Sequence, residues 1–259
     1  MARPEQAIEP DATALYGAYH EKATYETPAV IGASLDRLVA STERFRRNGR
    51  WLDLGFGEGA LLSAAQKRGW GCYGIEVSPH AIAHGENRGW AVTRAAGEDA
   101  RFIPESFDVV SMVEVIEHLA DPVTALQQAV RWLRPGGLLY LTTPNANSLN
   151  RRLLGHQWSI FCPPEHVIIW SAAGLRKALR AVGVATIRLR TQGLNPVEII
   201  ARFRRRAGAT EANRQGAAIA LNEALARTPS RRALKVAVNA GLGLLGVGDT
   251  LKAWCEKPQ

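Results

Sequence analysis

Apolar positions recur along this chain in two rhythms, one near 3.6 residues and one of short continuous runs, and the changes between them mark helices and strands. Residues 28–47 place Ile31, Leu35, Leu38 and Val39 at helical spacing and end in the basic pair Arg46-Arg47. From position 51 the spacing predicts strands and helices in strict succession. Trp51–Leu54 reads as a buried strand, Gly59–Arg68 as a helix stopped by Gly69, and Cys72–Glu76 as a strand. Pro79–Arg88 is a helix with proline in its first turn. Ala91–Arg94 and Phe107–Met112 are strands. Pro122–Leu133 is a helix closed by a turn at Pro135-Gly136-Gly137, and Leu138–Thr142 is a strand ending at Pro144-Asn145. Ser171 caps a helix to Val182, a strand follows over Val184–Arg190, and the last strand lies near Leu251–Cys255.

Strands separated by helices of this length imply a parallel sheet covered on both faces. Right-handed crossovers then bring the C-terminal ends of the strands to one rim, where open α/β sheets bind ligands. That rim collects Gly55–Gly59, Glu76, Glu114–His118 and Asn145. Two stretches interrupt the alternation. Residues 145–170 form a long loop carrying Trp158, Phe161, His166 and Trp170, too long for a mere connection. Residues 203–248 are rich in alanine and arginine and predict two helices, inserted as a cap before the final strand. The first 30 residues, with Tyr16, Tyr19 and Tyr25, read as a short helix and a loop. The resulting division is a helical cap over 1–47, a core over 48–202, a helical insertion over 203–248 and a final core strand over 249–259.

Composition leaves the picture globular: of 259 residues, 46% are hydrophobic and 22% charged. No apolar run reaches the ~20 residues that span a bilayer; Ala237–Gly248 is short and glycine-broken. The N-terminus carries no apolar signal core. Cys72, Cys162 and Cys255 are isolated, which argues against a disulfide framework or structural zinc and fits a cytoplasmic location. Charge changes the picture more. The net +8 is uneven, with 14 Lys/Arg against 18 Asp/Glu in residues 1–150 and 18 against 6 in residues 151–259. The basic half reads as a solvated helix surface or as a contact with phosphate, nucleic acid or a membrane surface. Its densest run is Arg202-Phe203-Arg204-Arg205-Arg206.

Asp53-Leu54-Gly55-Phe56-Gly57-Glu58-Gly59 sits between an apolar strand and a helix, where glycine permits positive φ and close backbone approach. The spacing is GxGxG, one residue tighter than the GxGxxG of dinucleotide enzymes. Asp53, at the strand end, suits an ammonium better than a pyrophosphate, so the ligand is cationic or zwitterionic. Glu76 closes the second strand, where a carboxylate takes the two hydroxyls of a ribose. Glu98-Asp99, ahead of the Phe107–Val110 strand, reads either as an acid that meets an adenine amino group or as an exposed turn.

With these motifs, and with Gly74-Ile75-Glu76, Ser106–Val110, Glu114–Pro122 and Leu133–Gly137 in order, residues 51–145 resemble a class I S-adenosylmethionine-dependent methyltransferase. The last two motifs are similar to the branch of ubiquinone-biosynthesis O-methyltransferases and bacterial tailoring enzymes. The resemblance implies a Rossmann-like, seven-stranded sheet of order 3-2-1-4-5-7-6, its last strand antiparallel. It also implies S-adenosylmethionine as cofactor. Gly55, Gly57 and Gly59 would line the methionine part, with Asp53 and Phe56 in the same turn. Glu76, followed by Val77, would hold the ribose, Glu98 or Asp99 the adenine, and Val113 and Glu114 would adjoin the sulfonium.

A hydroxyl acceptor benefits from a base or a metal, whereas an amine needs only its neutral form. Helical spacing would set Glu114 beside Glu117 and His118. With His166 these residues make a site for Mg²⁺ or another divalent ion; similar Glu-x-x-Glu-His arrangements bind metal in some ubiquinone-pathway and small-RNA methyltransferases. His118 or His166 is alternatively the general base, or the group only stabilises the rim. His20 and His156 read as surface or loop residues. Trp158, Phe161 and Trp170 wall a pocket or pack as core. The expected reaction is O-methylation of a small-molecule acceptor, which the basic half allows to be anionic. Methylation of RNA and a non-catalytic cofactor-binding partner are the other readings.

Overall fold

In a computed structural model of the chain, the described residues are 27–96, 99–203 and 228–259. The expected helix near Tyr16, Tyr19 and Tyr25, together with His20, Glu98 and most of the 202–206 basic run, falls outside them. Helix α1 (Ala29–Thr42) leads through a 3₁₀ turn at Glu43–Phe45 into β1 (Arg50–Leu54), α2 (Ala60–Lys67) and β2 (Gly71–Glu76). Then come α3 (Pro79–Asn87), β3 (Ala91–Arg94), β4 (Phe107–Val113), α4 (Pro122–Trp132) and β5 (Leu133–Pro144). Helices α5 (Leu149–Leu154) and α6 (Ala172–Ala181) precede β6 (Ala185–Gln192). Helix α7 (Pro196–Phe203), helix α8 (Pro229–Leu245) and β7 (Thr250–Glu256) complete the order.

The seven strands form one sheet in the order β3-β2-β1-β4-β5-β7-β6. Pairings from β3 through β5 are parallel, and β7 runs antiparallel between β5 and β6. Every residue of β4 except Val113 is buried, as expected of a central strand covered on both faces. One core cluster joins Leu52, Val110, Met112 and Leu139 to Leu126 of α4 and Leu175 and Leu179 of α6. The other joins Trp51, Val109 and Leu138 to Val39 of α1, Leu62 of α2 and Ala81 of α3. Helices α1 to α3 therefore cover one face and α4 and α6 the other.

Three local expectations differ. Pro135-Gly136-Gly137 does not stand apart as a turn: β5 starts at Leu133 and passes through it, with a register shift against Phe107/Val109. Gly137 is required there because a Cβ would lie 2.9 Å from the Arg134 carbonyl oxygen and 3.1 Å from that of Asp108. Residues 145–170 are not all loop, since they contain α5 and a 3₁₀ turn at Gly155–Gln157. Ser148 caps α5, its hydroxyl accepting from the Arg151 N–H at 3.1 Å. Residues 114–118 form a tight turn and not a helix, with the His118 N–H bonded to Val115 O. The Asp121 side chain and Pro122 start α4 only after that turn. Ser171 does cap α6, and α8 stands where a helical insertion was expected, ahead of β7.

Candidate functional site

The turn after β1 is built from its backbone outward. Gly55, Gly57 and Gly59 have φ of +62°, +52° and +70°, in the left-handed region that side chains avoid. A Cβ on Gly55 would meet Val115 at 2.7 Å, and one on Gly59 would meet the Trp90 ring at 2.4 Å. Gly59 is also the N-cap of α2, and no side chain caps that helix. Its first amides are thus left for an acceptor from outside. Phe56 contributes backbone only: its ring is buried, edge-on to Trp90 with centroids 5.7 Å apart. It packs over Gly74, where a Cβ would lie 2.4 Å from it, and beside Gly85, where a Cβ would lie 3.1 Å from it and 2.8 Å from Val92.

Two carboxylates flank this turn. Asp53, buried in β1, accepts from the Ser111 hydroxyl at 2.5 Å, and that hydroxyl accepts from the Trp51 indole at 2.8 Å. Burial pushes the Asp53 carboxyl up to about 7 against the Ser111 bond, and the Glu76 charge adds to the rise. Glu76 accepts from the Gly57 N–H at 2.9 Å on one oxygen and from the Val77 and Ser78 N–H groups at 2.7 and 3.1 Å on the other. It clamps the glycine turn to the start of α3. Each carboxylate oxygen has two acceptor directions, so the clamp leaves one, on the oxygen bonded to Gly57, for a ribose hydroxyl. Asp99 is exposed in a turn. Val113 ends β4, half-buried, beside Thr142 of β5.

The second group assembles across the β4 and β5 ends. Glu114 has φ of +53°, strain that a side chain tolerates only where its surroundings hold it. Its N–H is held by Thr142 O at 3.0 Å and its carboxylate accepts from the Thr142 hydroxyl at 2.7 Å. Glu117 is fully buried and accepts from Thr143 at 2.9 Å. The Val167 and Ile168 N–H groups bind Glu117 O at 2.9 and 3.1 Å, lacing the distant segment onto the turn. His166 arrives by this lacing, its ring 4.6 Å from that of His118. His118 Nδ1 lies 2.8 Å from Glu165 O and His166 Nδ1 2.6 Å from Ile160 O, distances at which each Nδ1–H donates to a carbonyl. Glu117, His118 and His166 each offer one ligand atom within 4.8 Å of the others.

Glu114 stands beside this threesome: one carboxylate oxygen accepts from Thr142, and the carboxyl is in hydrogen-bond contact with that of Glu117. It is also an electrostatic neighbour of Glu117, His166 and Lys252. Burial raises both glutamates, and for Glu117 the Glu114 charge adds to it. Burial lowers His118. Ser111, Thr142, Thr143 and Lys252 were not singled out from sequence. The lone cation in the apolar run Leu251-Lys252-Ala253-Trp254 was the available signal for Lys252.

The aromatic residues divide. Trp158 is buried, Phe161 is 55% exposed, and Trp170 packs on the core while bridging to Asn145. Asn145 is structural: its amide donates to Gly246 O and Gly248 O at 3.1 and 2.8 Å. His156 lies exposed in the 3₁₀ turn.

Residues 23–189 match a family model described as a methyltransferase domain. The ubiquinone biosynthesis O-methyltransferase of Cereibacter sphaeroides strain ATCC 17025 is 30% identical over 179 residues, 64% of this chain and 72% of that one. The enzyme of the same description from Pseudomonas aeruginosa strain LESB58 is 37% identical over 103 residues, 37% of this chain and 44% of that one. Among solved structures, an S-adenosylmethionine-dependent methyltransferase from Archaeoglobus fulgidus superposes with a TM-score of 0.60 at 16% identity, covering 93% of this chain and 99% of that one. No helix among the described residues is long and apolar enough to cross a membrane.

Proposed function

Since the chain belongs to the family of S-adenosylmethionine-dependent methyltransferases, we propose that it methylates a hydroxyl of a small-molecule acceptor held against Glu117, His118 and His166. The observation that carries this reading is the gathering of the buried Glu117 carboxyl with two imidazoles whose Nδ1 atoms are tied to carbonyls. Tying Nδ1 makes Nε2 the lone-pair atom of each ring. An amine acceptor would need no such group.

The cofactor supplies a methyl group already activated by its sulfonium. The positive-φ glycines and the uncapped start of α2 fit the cofactor's carboxylate end, Asp53 its ammonium, and Glu76 the ribose. Val77, Asp99 and Val113 adjoin that path. Holding the reactants in line supplies roughly 7–11 kcal/mol of the barrier. His166 Nε2, or His118 Nε2 beside it, accepts the hydroxyl proton as the oxygen attacks. Thr143 fixes the Glu117 carboxyl on the same side.

The donor set of one carboxylate and two imidazoles also fits a divalent cation. Glu117, His118 and His166 would hold it, and the carbonyls bonded to the Nδ1 atoms would orient the two rings for it. Its contribution would be to lower the pKa of the acceptor hydroxyl. Steady-state transfer to catechol, with and without chelator, tests both roles. His166→Gln is expected to lower kcat by about 10²–10⁴-fold, the usual worth of acid–base catalysis. An unchanged kcat would overturn the reading. Loss of activity in chelator, restored by Mg²⁺, assigns the cation; indifference to chelator assigns the histidine alone.

A further inference from the structure

Antiparallel register sets side chains of β5, β7 and β6 in rows on one face of the sheet. One row is Tyr140–Trp254–Arg188 and the next Thr142–Lys252–Arg190. The first is packed, with the Tyr140 and Trp254 rings 5.1 Å apart and the Arg188 guanidinium 5.1 Å from the Trp254 centroid. The second begins where Thr142 bonds Glu114 and sets Lys252 directly opposite Arg190. Like charges so placed repel. Among the described residues, none of Arg188, Arg190 and Lys252 forms an ion pair. Burial lowers Arg188, and Arg190 lowers it further. Lys252 is half-buried; burial lowers its pKa and the Glu114 charge raises it. Three cations thus lead from Glu114, which offsets Lys252 in part, to the sheet edge.

We propose that Lys252 and Arg190, flanked by Arg188 on Trp254, form a subsite for a carboxylate or phosphate borne by the methyl acceptor. The inference rests on the acceptor's hydroxyl lying at the Glu117–His118–His166 group. Lys252 and Arg190 stand one and two strand spacings from Thr142, about 5 and 10 Å. Thr142 joins the two places, because its hydroxyl bonds Glu114, which adjoins Glu117 and His166. Arginine binds either acid through two parallel N–H bonds, and Lys252 adds a point charge.

Calorimetric titration of the full chain, saturated with S-adenosylhomocysteine, with benzoate, phenyl phosphate and phenol tests it. At least one acid is expected to bind about tenfold tighter than phenol, roughly the worth of one charged hydrogen bond; the tighter acid identifies the substituent. Lys252→Met and Arg190→Met should each lose about that factor while keeping wild-type affinity for S-adenosylhomocysteine. Phenol binding as well as both acids, or acid affinity unmoved in both variants, would overturn the subsite. So would a short single-stranded RNA that binds tighter than either acid, with steep salt dependence, and is weakened by the same variants. Acids that bind as expected while 3,4-dihydroxybenzoate and catechol go unmethylated would leave the subsite standing and remove the hydroxyl-acceptor reading.

Discussion

The turn after β1, proposed for the cofactor, is shaped by local backbone, whereas the group at the ends of β4 and β5, proposed for the acceptor, is assembled from distant segments. In the first the parts lie close in sequence: three positive-φ glycines, a helix start, and Glu76 reaching back nineteen residues to the Gly57 amide. In the second, Glu117 is held by a segment fifty residues later, and Asn145 is tied to Gly248 across 103 residues. Conserving local backbone geometry suits a ligand that every member of a fold must bind. Assembling a site from distant side chains suits an acceptor that differs from one enzyme to the next.

The largest effect that separates the two is expected at Gly59. Gly59→Ala combines a left-handed backbone with a Cβ 2.4 Å from Trp90, costing about 2–5 kcal/mol. Urea unfolding should register that loss, and S-adenosylhomocysteine affinity should fall with it. Wild-type stability would mean that the turn is not rigid.

Asp53→Asn comes next and carries a pH signature. The carboxyl ionises near 3.8 when unfolded and near 7 when buried. The folded chain therefore holds the extra proton between these values, and stability is lost as pH rises through them. Asn cannot ionise, so the variant should match the wild type at pH ~4 and exceed it at pH ~8 by a few kcal/mol. S-adenosylhomocysteine should nonetheless bind more weakly. A variant that binds it as tightly as wild type would remove Asp53 from the cofactor site.

On the other side, Asn145→Ala leaves one buried and one part-buried carbonyl without their donor and should cost about 1–3 kcal/mol by urea unfolding. Affinity for S-adenosylhomocysteine should hold, which distinguishes a structural rim residue from a binding one. Arg188→Ala removes only a partly exposed guanidinium from Trp254 and should cost about 0.5–1 kcal/mol. A larger loss would make Arg188 a structural member of the sheet edge.

The same contrast governs what could be read from sequence. The strand–helix succession, the glycine turn, Asp53 and Glu76 follow from periodicity and backbone rules that act over a few residues. The seven-strand order came from resemblance, because periodicity does not say which strands pair. His166 could be flagged but not placed: its approach to His118 depends on the Val167 and Ile168 amides binding Glu117 O. The helical reading of 114–118 failed for a related reason. Glu114 is drawn into a left-handed conformation by Thr142, a partner 28 residues away. The place of the Phe56 ring was not legible either: Gly74, far along the chain in β2, leaves a slot for it in the core.

The most direct measurement supplies S-adenosylmethionine labelled on its methyl group to the full chain with catechol, 3,4-dihydroxybenzoate and the matched aromatic amines, and locates the label by mass spectrometry. The expected result is label on oxygen, strongly reduced in His166→Gln and absent from every amine. Label on nitrogen, or label on oxygen that persists at the wild-type rate in His166→Gln, would contradict hydroxyl methylation at Glu117, His118 and His166.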